Sequence, residues 1–219
     1  MLIDPLGRKV TFTYDDDGRQ RTRLNDRGVL TTFSYDDAGQ LTEGDYSNDA
    51  PVTFGYDEVG NRTRMEDGTG RYTYTYDELA RLSTAETPAG KTITYTYDEV
   101  DQRLTMTDPD GGVFTTNYDA AGQLHAVINP QDLTTTFTYD NAGRQTLKEL
   151  ANATYASMSY DVANQLEVVE NAKSDGTIIA KMTYTYDEVG NRTRMVENDG
   201  QITTWTYDDA NELNRQQRS

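Results

Sequence analysis

The dipeptide Tyr-Asp recurs ten times in this chain, at Tyr14, Tyr35, Tyr56, Tyr76, Tyr97, Tyr118, Tyr139, Tyr160, Tyr186 and Tyr207. The intervals are 21, 21, 20, 21, 21, 21, 21, 26 and 21 residues. A period sustained through nearly all of 219 residues restricts the chain to a repeat architecture, in which each unit buries surface against its neighbours. The decapeptide YDEVGNRTRM, at 56–65 and again at 186–195, is therefore a unit of construction and not a site used twice.

The local pattern says what the unit is. Counting each repeat tyrosine as position 0, position −2 holds Phe12, Phe33, Phe54, Tyr74, Tyr95, Thr116, Phe137, Met158, Tyr184 or Trp205. Position −3 is always Thr or Ser, and position −1 is always small or polar, as in Thr13, Ser34, Gly55 and Asn117. This alternation puts aromatic rings on one face of an extended strand and hydroxyls on the other. Asp follows each tyrosine, as at Asp15, Asp36 and Asp57, and position +4 is Gly18, Gly39, Gly60, Gly122, Gly143 or Gly190. Asp-x-x-Gly predicts a type I turn whose last residue has positive φ. Asn164, Asn211 and Asp101 suit that place; Ala80 does not. A return strand follows, often opening with Leu (Leu41, Leu82, Leu124, Leu166, Leu213), with weaker alternation. A second turn precedes the next unit: DPLG at 4–7, NDRG at 25–28, TPAG at 87–90, DPDG at 108–111 and ENDG at 197–200. The fold class is all-β. About ten tandem β-hairpins form a single array over residues 1–219. About twenty strands exceed what an open sheet carries without curling, so a long curled antiparallel sheet, an arc or a spiral, is expected.

Charge and composition narrow the function. The net charge of −17 repels phosphate backbones, so nucleic acid is not an expected partner. There is no Cys, hence no disulfide or thiolate chemistry. No apolar run is long enough to span a membrane as a helix, and no export signal is recognisable after Met1. Apolar residues make up 35%, against roughly 45–50% in ordinary domains. Acidity of this degree usually marks disorder, yet the chain holds 16 Tyr and 5 Phe, arranged at one beat.

Tyr-Asp-x-x-Gly-[Asn/Gln/Arg]-[Leu/Arg] at this spacing resembles the YD repeat, or Rhs repeat. Its family includes bacterial Rhs and wall-associated polymorphic toxins, the shell components of insecticidal toxin complexes, and teneurins. The resemblance implies a strip of β-sheet wound into a hollow shell that encloses or presents a C-terminal toxin polypeptide, in a secreted or cell-surface protein of bacterial origin. The chain reads as a segment of such a shell, an open arc whose partners are the rest of the shell or its cargo. Open sheet edges also invite edge-to-edge self-association.

Other residues invite sharper readings. His125 is the only His; without a positioned nucleophile or orienting group it reads as a solvent-facing strand residue. The runs Asp15-Asp16-Asp17 and Asp208-Asp209 lack the ligand spacing of a calcium loop. The sequons at Asn61, Asn152 and Asn191 matter only in a eukaryotic secretory setting. No catalytic group, metal site or cofactor is expected, and the chain is not read as an enzyme. The aromatic ladder suits packing first and ring-stacking on glycans or cell-surface proteins second, with Trp205 as the residue to test. The 26-residue interval before Tyr186 predicts a lengthened loop near AKSDGTIIAK at 172–181.

Overall fold

The computed structural model describes residues 1–3 and 7–219. The described residues are all-β, with 21 strands, and every described strand pairing is antiparallel. They form two compact units, Met1–Gly112 and Val113–Ser219.

The first unit begins with β1 (Leu2–Ile3) and continues with β2 (Lys9–Tyr14), β3 (Gln20–Leu24), β4 (Leu30–Tyr35) and β5 (Leu41–Tyr46). It goes on through β6 (Val52–Tyr56), β7 (Arg62–Asp67), β8 (Gly70–Tyr76), β9 (Leu82–Glu86), β10 (Thr92–Tyr97) and β11 (Arg103–Thr107). The second contains β12 (Val113–Tyr118), β13 (Leu124–Ile128), β14 (Thr134–Tyr139), β15 (Gln145–Glu149) and β16 (Thr154–Tyr160). It ends with β17 (Leu166–Lys173), β18 (Ile178–Tyr186), β19 (Arg192–Glu197), β20 (Ile202–Tyr207) and β21 (Leu213–Arg218). Each repeat tyrosine is the last residue of an outgoing strand, so the ten expected hairpins are β2–β3 through β20–β21. Within each unit every strand pairs with its neighbour in sequence.

The sheet has no second layer. Ala126 and Ala172 are the only buried apolar residues among those described, and no large side chain is fully buried. This explains how 35% apolar content suffices: stability comes from strand pairing and cross-strand contacts, not from an interior. On the hydroxyl face Thr13 meets Thr22, Thr75 meets Thr84, and Thr96 meets Thr105, each with Oγ1 atoms 2.6 Å apart.

The poor alternation of the return strands has a physical cause. In all ten hairpins the register slips by one residue between positions −1 and 0. In the first, Thr13 faces Thr22 and Tyr14 faces Gln20, leaving Arg21 as the extra residue of a β-bulge. A bulge reverses the parity of the residues beyond it. The residues sharing the aromatic face are therefore +6 and +9, not +6 and +8: Leu82 opposite Tyr76 and Ala85 opposite Tyr74, for instance. His125 is the extra residue of β13 and is exposed.

The long interval before Tyr186 does not make a longer loop. Its added residues extend β17 and β18, which pair from Val168–Thr183 out to Ala172–Ile178 across a second bulge. The turn stays tight, Gly176 N–H donating to Lys173 O at 2.9 Å. Ala172 is completely buried there, and Ser174 N–H donates to Ala153 O of the preceding base turn. Backbone pairing is satisfied better by longer strands than by an exposed loop.

Base turns reuse the tip-turn chemistry. Gly28, Gly90, Gly111 and Gly200 each close one with positive φ. Of the DPLG turn, Asp4, Pro5 and Leu6 lie outside the described residues. Ala80 adopts φ 61° despite its Cβ, a conformation that costs an L-residue roughly 1–2 kcal/mol. Ala80→Gly, after allowance for the added freedom of the unfolded chain, should stabilise the protein by about 0.5–1 kcal/mol, read as a raised urea midpoint.

Candidate functional site

The repeated feature that distinguishes this sheet is the seam between successive hairpins. Pairing across it is short, two to five residue pairs, and in every described seam that ends in a complete hairpin it stops at position −3. That is the position occupied only by Thr or Ser. Thr22–Thr32 closes the ladder between β3 and β4, and no backbone pair joins Phe33, Ser34 or Tyr35 to β3. The bulge is the reason: it turns residues +6 and +7 out of line, so the neighbouring strand cannot follow.

Tyrosine bridges the stretch where the ladder stops. The Tyr35 hydroxyl donates to Gln20 O at 2.9 Å. Tyr56 reaches Leu41 O, Tyr76 Arg62 O, and Tyr97 Leu82 O, all at 2.9 Å. In the second unit Tyr139 reaches Leu124 O, Tyr160 Gln145 O, Tyr186 Leu166 O and Tyr207 Arg192 O at 2.8–3.0 Å. The acceptor is always the +6 residue of the preceding hairpin, the one facing that hairpin's own tyrosine. Each of these eight tyrosines thus ends one hairpin and fastens it to the one before.

Position +1 shapes the tip. Asp57 Oδ1 accepts the N–H groups of Val59 and Asn61 at 3.1 and 2.7 Å, and Gly60 N–H donates to Asp57 O at 3.1 Å. The same set recurs at Asp15 with Gly18, Asp119 with Gly122 and Asp140 with Gly143; at Asp36 the Oδ1 accepts from Gln40 N–H, and Gly39 N–H donates to Asp36 O. Gly190 closes the turn that Asp187 organises.

Position +5 carries information that sequence reasoning missed. Its side chain reaches forward to the +4 residue of the next tip. Arg81 donates to Asp98 O at 2.7 Å and to Asp101 Oδ1 at 2.8 Å, while its guanidinium lies 4.8 Å from the Tyr97 ring centre. Arg144 does the same to Asn164 and Tyr160, at 2.7 and 4.7 Å. Asn191 donates to Asn211 Oδ1 at 3.0 Å. Where +5 is Gln the next +4 is Gly: Nε2 of Gln40, Gln123 and Gln165 stands 3.0 Å from where a Cβ on Gly60, Gly143 and Gly190 would sit. Glycine suits those positions twice over: it takes positive φ without strain, and a Cβ there would push the Gln amide aside. The signal was present as a correlation between positions about 20 residues apart, invisible within any single repeat.

The acidic runs and the sequons at Asn61 and Asn191 belong to the tips, and the sequon at Asn152 to a base turn, where Asn152 Oδ1 accepts from Thr154. Asp15 is engaged by its own turn, and Asp17 pairs with Arg19 at 2.8 Å. Among the described residues no three His, Cys, Asp or Glu side chains gather to hold a metal. The sequon residues Asn61 and Asn191 donate to Asp57 and Asp187 within their own tips.

A family model described as the Teneurin YD-shell matches residues 7–137. The chain belongs to the Teneurin YD-shell family. No curated protein matches it. Among solved structures, the crystal structure of TcdB2-TccC3 matches with a TM-score of 0.76 at 19% identity, over 93% of this chain and 13% of that one. The Photorhabdus luminescens Tc holotoxin pore matches with a TM-score of 0.75 at 19% identity, over 93% of this chain and 12% of that one. At such identities the likeness is one of fold. This chain spans about an eighth of the length of those structures.

In this YD-shell chain the tip carboxyls of Asp57, Asp77, Asp140 and Asp187 are held low. At Asp140 the Arg144 side chain, then its backbone N–H, hold the carboxyl below the ordinary 3.8; at Asp77 the backbone N–H of Arg81 leads, helped by its guanidinium. At Asp57 and Asp187 desolvation pushes upward, and bonds from Asn61 and Asn191 outweigh it. A carboxyl depressed in the folded state contributes stability above its unfolded value and loses it as pH falls through the folded value. Urea midpoints should therefore be level from pH 5 to 8 and drop below about pH 4, and Asp77→Asn with Asp140→Asn should flatten that drop. Tyr97→Phe removes one seam bond and should cost about 1 kcal/mol, with faster hydrogen exchange of the β9–β10 amides and none at β2–β3.

Proposed function

We propose that this chain is a length of wall from a secreted or cell-surface YD-repeat protein, one array whose shell encloses or presents a C-terminal toxin polypeptide. The observation that carries the reading is the single-layer sheet. It has no interior of its own, its side-chain chemistry is spent on fastening hairpins to one another, and its tips and seams repeat without a distinguished centre. Such a construction separates two spaces; it does not organise a reaction. The likeness in fold to toxin-complex structures supports the same reading, as does the family. On this view the chain acts by exclusion, and its partners are adjoining shell and cargo.

A second reading keeps one local feature in view. Tyr186, Gly190, Arg192, Trp205, Tyr207 and Leu213 line a shallow recess on the aromatic face. The Arg192 guanidinium lies 5.7 Å from the Trp205 ring centre. Both tyrosine hydroxyls there are committed to backbone carbonyls, which leaves ring faces and one guanidinium to stack on a sugar. The wall reading is favoured because the same elements recur wherever hairpins meet.

Protease treatment of the whole encoded protein separates the two. A wall reading expects its C-terminal polypeptide to resist trypsin until the β-sheet is unfolded; immediate digestion of that segment with the sheet intact would overturn it. A glycan reading expects array binding by this chain that Trp205→Ala abolishes.

A further inference from the structure

The two faces of the sheet carry different charge. The hairpin registers and strand alternation put positions −4, −2, 0, +6 and +9 of every repeat on the aromatic face. The chain holds 37 Asp and Glu, and none stands at any of these positions. The charged residues that do are all cations: Arg23, Arg62 and Arg103 in the first unit, Lys148 and Arg192 in the second. Every methionine except Met1 is there too: Met65, Met106, Met158, Met182 and Met195. Aromatic residues, Met and Arg in the absence of Asp and Glu are the composition of the core of a protein–protein interface, and Met adapts its shape to varied partners.

Two of these cations are held in place without a charged partner. The Arg62 guanidinium lies 5.8 Å from the Phe54 ring centre on one neighbouring strand and 5.0 Å from that of Tyr74 on the other. Arg192 stands the same way between Tyr184 and Trp205, at 4.5 and 5.7 Å. Both are exposed, and neither side chain has a hydrogen bond or ion pair among the described residues. Arg19, Arg81 and Arg144 at position +5 also stack on rings, but each is paired with a tip aspartate. The N–H groups of Arg62 and Arg192 are therefore open to a carboxylate, which a guanidinium fixed by rings can take through two parallel bonds. Three residues on, Met65 faces Phe54 and Met195 faces Tyr184. Both sets come from the repeated decapeptide, so this unit of construction carries a contact as well.

We propose that the aromatic face of each unit docks an acidic polypeptide segment with apolar side chains between its carboxylates, and that Arg62 and Arg192 each take one of those carboxylates. Charge selects the occupant: the one acid-free surface of a chain with net charge −17 presents cations only. The strands here are paired on both sides, so a peptide cannot join as a further strand and is held through its side chains. A sugar is served worse. The hydroxyl protons of Tyr56, Tyr76, Tyr186 and Tyr207 are already given to carbonyls, and sugar hydroxyls covered without partners lose the bonds they make in water. That the enclosed polypeptide supplies the segment rests on the wall reading; the chemistry of the contact does not.

Methionine methyl NMR of the 219-residue chain tests it, with a short synthetic peptide alternating Glu with Leu as the probe and Met1 as the internal control. The Met65 and Met195 methyls should shift and saturate with a Kd on the order of 0.1 mM, in the range of weak contacts, while Met1 stays still. Arg62→Gln should weaken the Met65 response roughly tenfold, the worth of a charge-assisted hydrogen bond, and leave Met195 unchanged; Arg192→Gln should do the reverse. The same peptide with Gln for Glu should bind about tenfold more weakly to wild type. Unmoved Met65 and Met195 methyls would overturn the proposal, and are the result expected if the face lacks acids only because ring faces repel anions. Shifts undiminished in the arginine variants, equal shifts by the Gln peptide, or a stronger response to polygalacturonate or single-stranded DNA would also overturn it. If an arginine variant loses its β-structure, the Glu and Gln peptides on wild type decide. Trypsin resistance of the C-terminal polypeptide is read separately: its failure removes the wall reading and leaves these shifts, and failure of the shifts leaves the wall.

Discussion

Everything in this sheet depends on a phenolic hydroxyl reaching a backbone carbonyl fifteen residues earlier, or fourteen or twenty where the spacing differs. A hairpin by itself is marginal in water, and a row of hairpins joined by three or so pairs each is little better. The bond from Tyr to the +6 carbonyl lengthens the seams inside each unit to the height of the tip. Phenylalanine could fill the same space, but the +6 carbonyl would lose its donor. That is a physical reason for tyrosine and no other aromatic at position 0, while position −2 accepts Phe, Tyr, Trp, Met or Thr.

The bulge and the tyrosine are one device. The slip between positions −1 and 0 ends the ladder on the return strand, and the tyrosine restores a bond where the ladder ends. The tip aspartate completes it. Its carboxylate gathers the N–H groups that a reversing backbone leaves unpaired, and where +5 is Arg it also holds the guanidinium that stacks on the next tyrosine. Asn25 and Asn129 organise base turns through the same two N–H bonds without a charge. The negative charge at the tips therefore serves the arginine, or solubility of a wide thin sheet, more than the turn itself. With almost no buried apolar surface, the protein spreads its stability over many equivalent bonds, and losses should stay local.

Much of this was legible in the residues. Period-two alternation placed the outgoing strands, and Asp-x-x-Gly placed their tips to the residue. The return strands were harder, because a bulge is a property of backbone pairing and leaves no compositional mark beyond the apparent failure of alternation at Arg21, Ser83 or His125. The insertion before Tyr186 misled for a related reason. Loops tolerate added residues, but the residues at 170–181 can pair with one another, and pairing won. Ala80 read as a misfit and does sit at positive φ; the surrounding turn bonds impose it.

The sequence by itself determined the beat, the hairpin, the faces of the outgoing strands and the positions where chain reversal needs Gly or Asn, because these rest on interactions among residues a few positions apart. The tertiary structure alone decided which carbonyl each tyrosine meets, where the seams stop pairing, and why Gln at +5 goes with Gly in the next tip. Those are contacts between hairpins some twenty residues apart, set by how the bulge aims one strand past another, and no single repeat contains them.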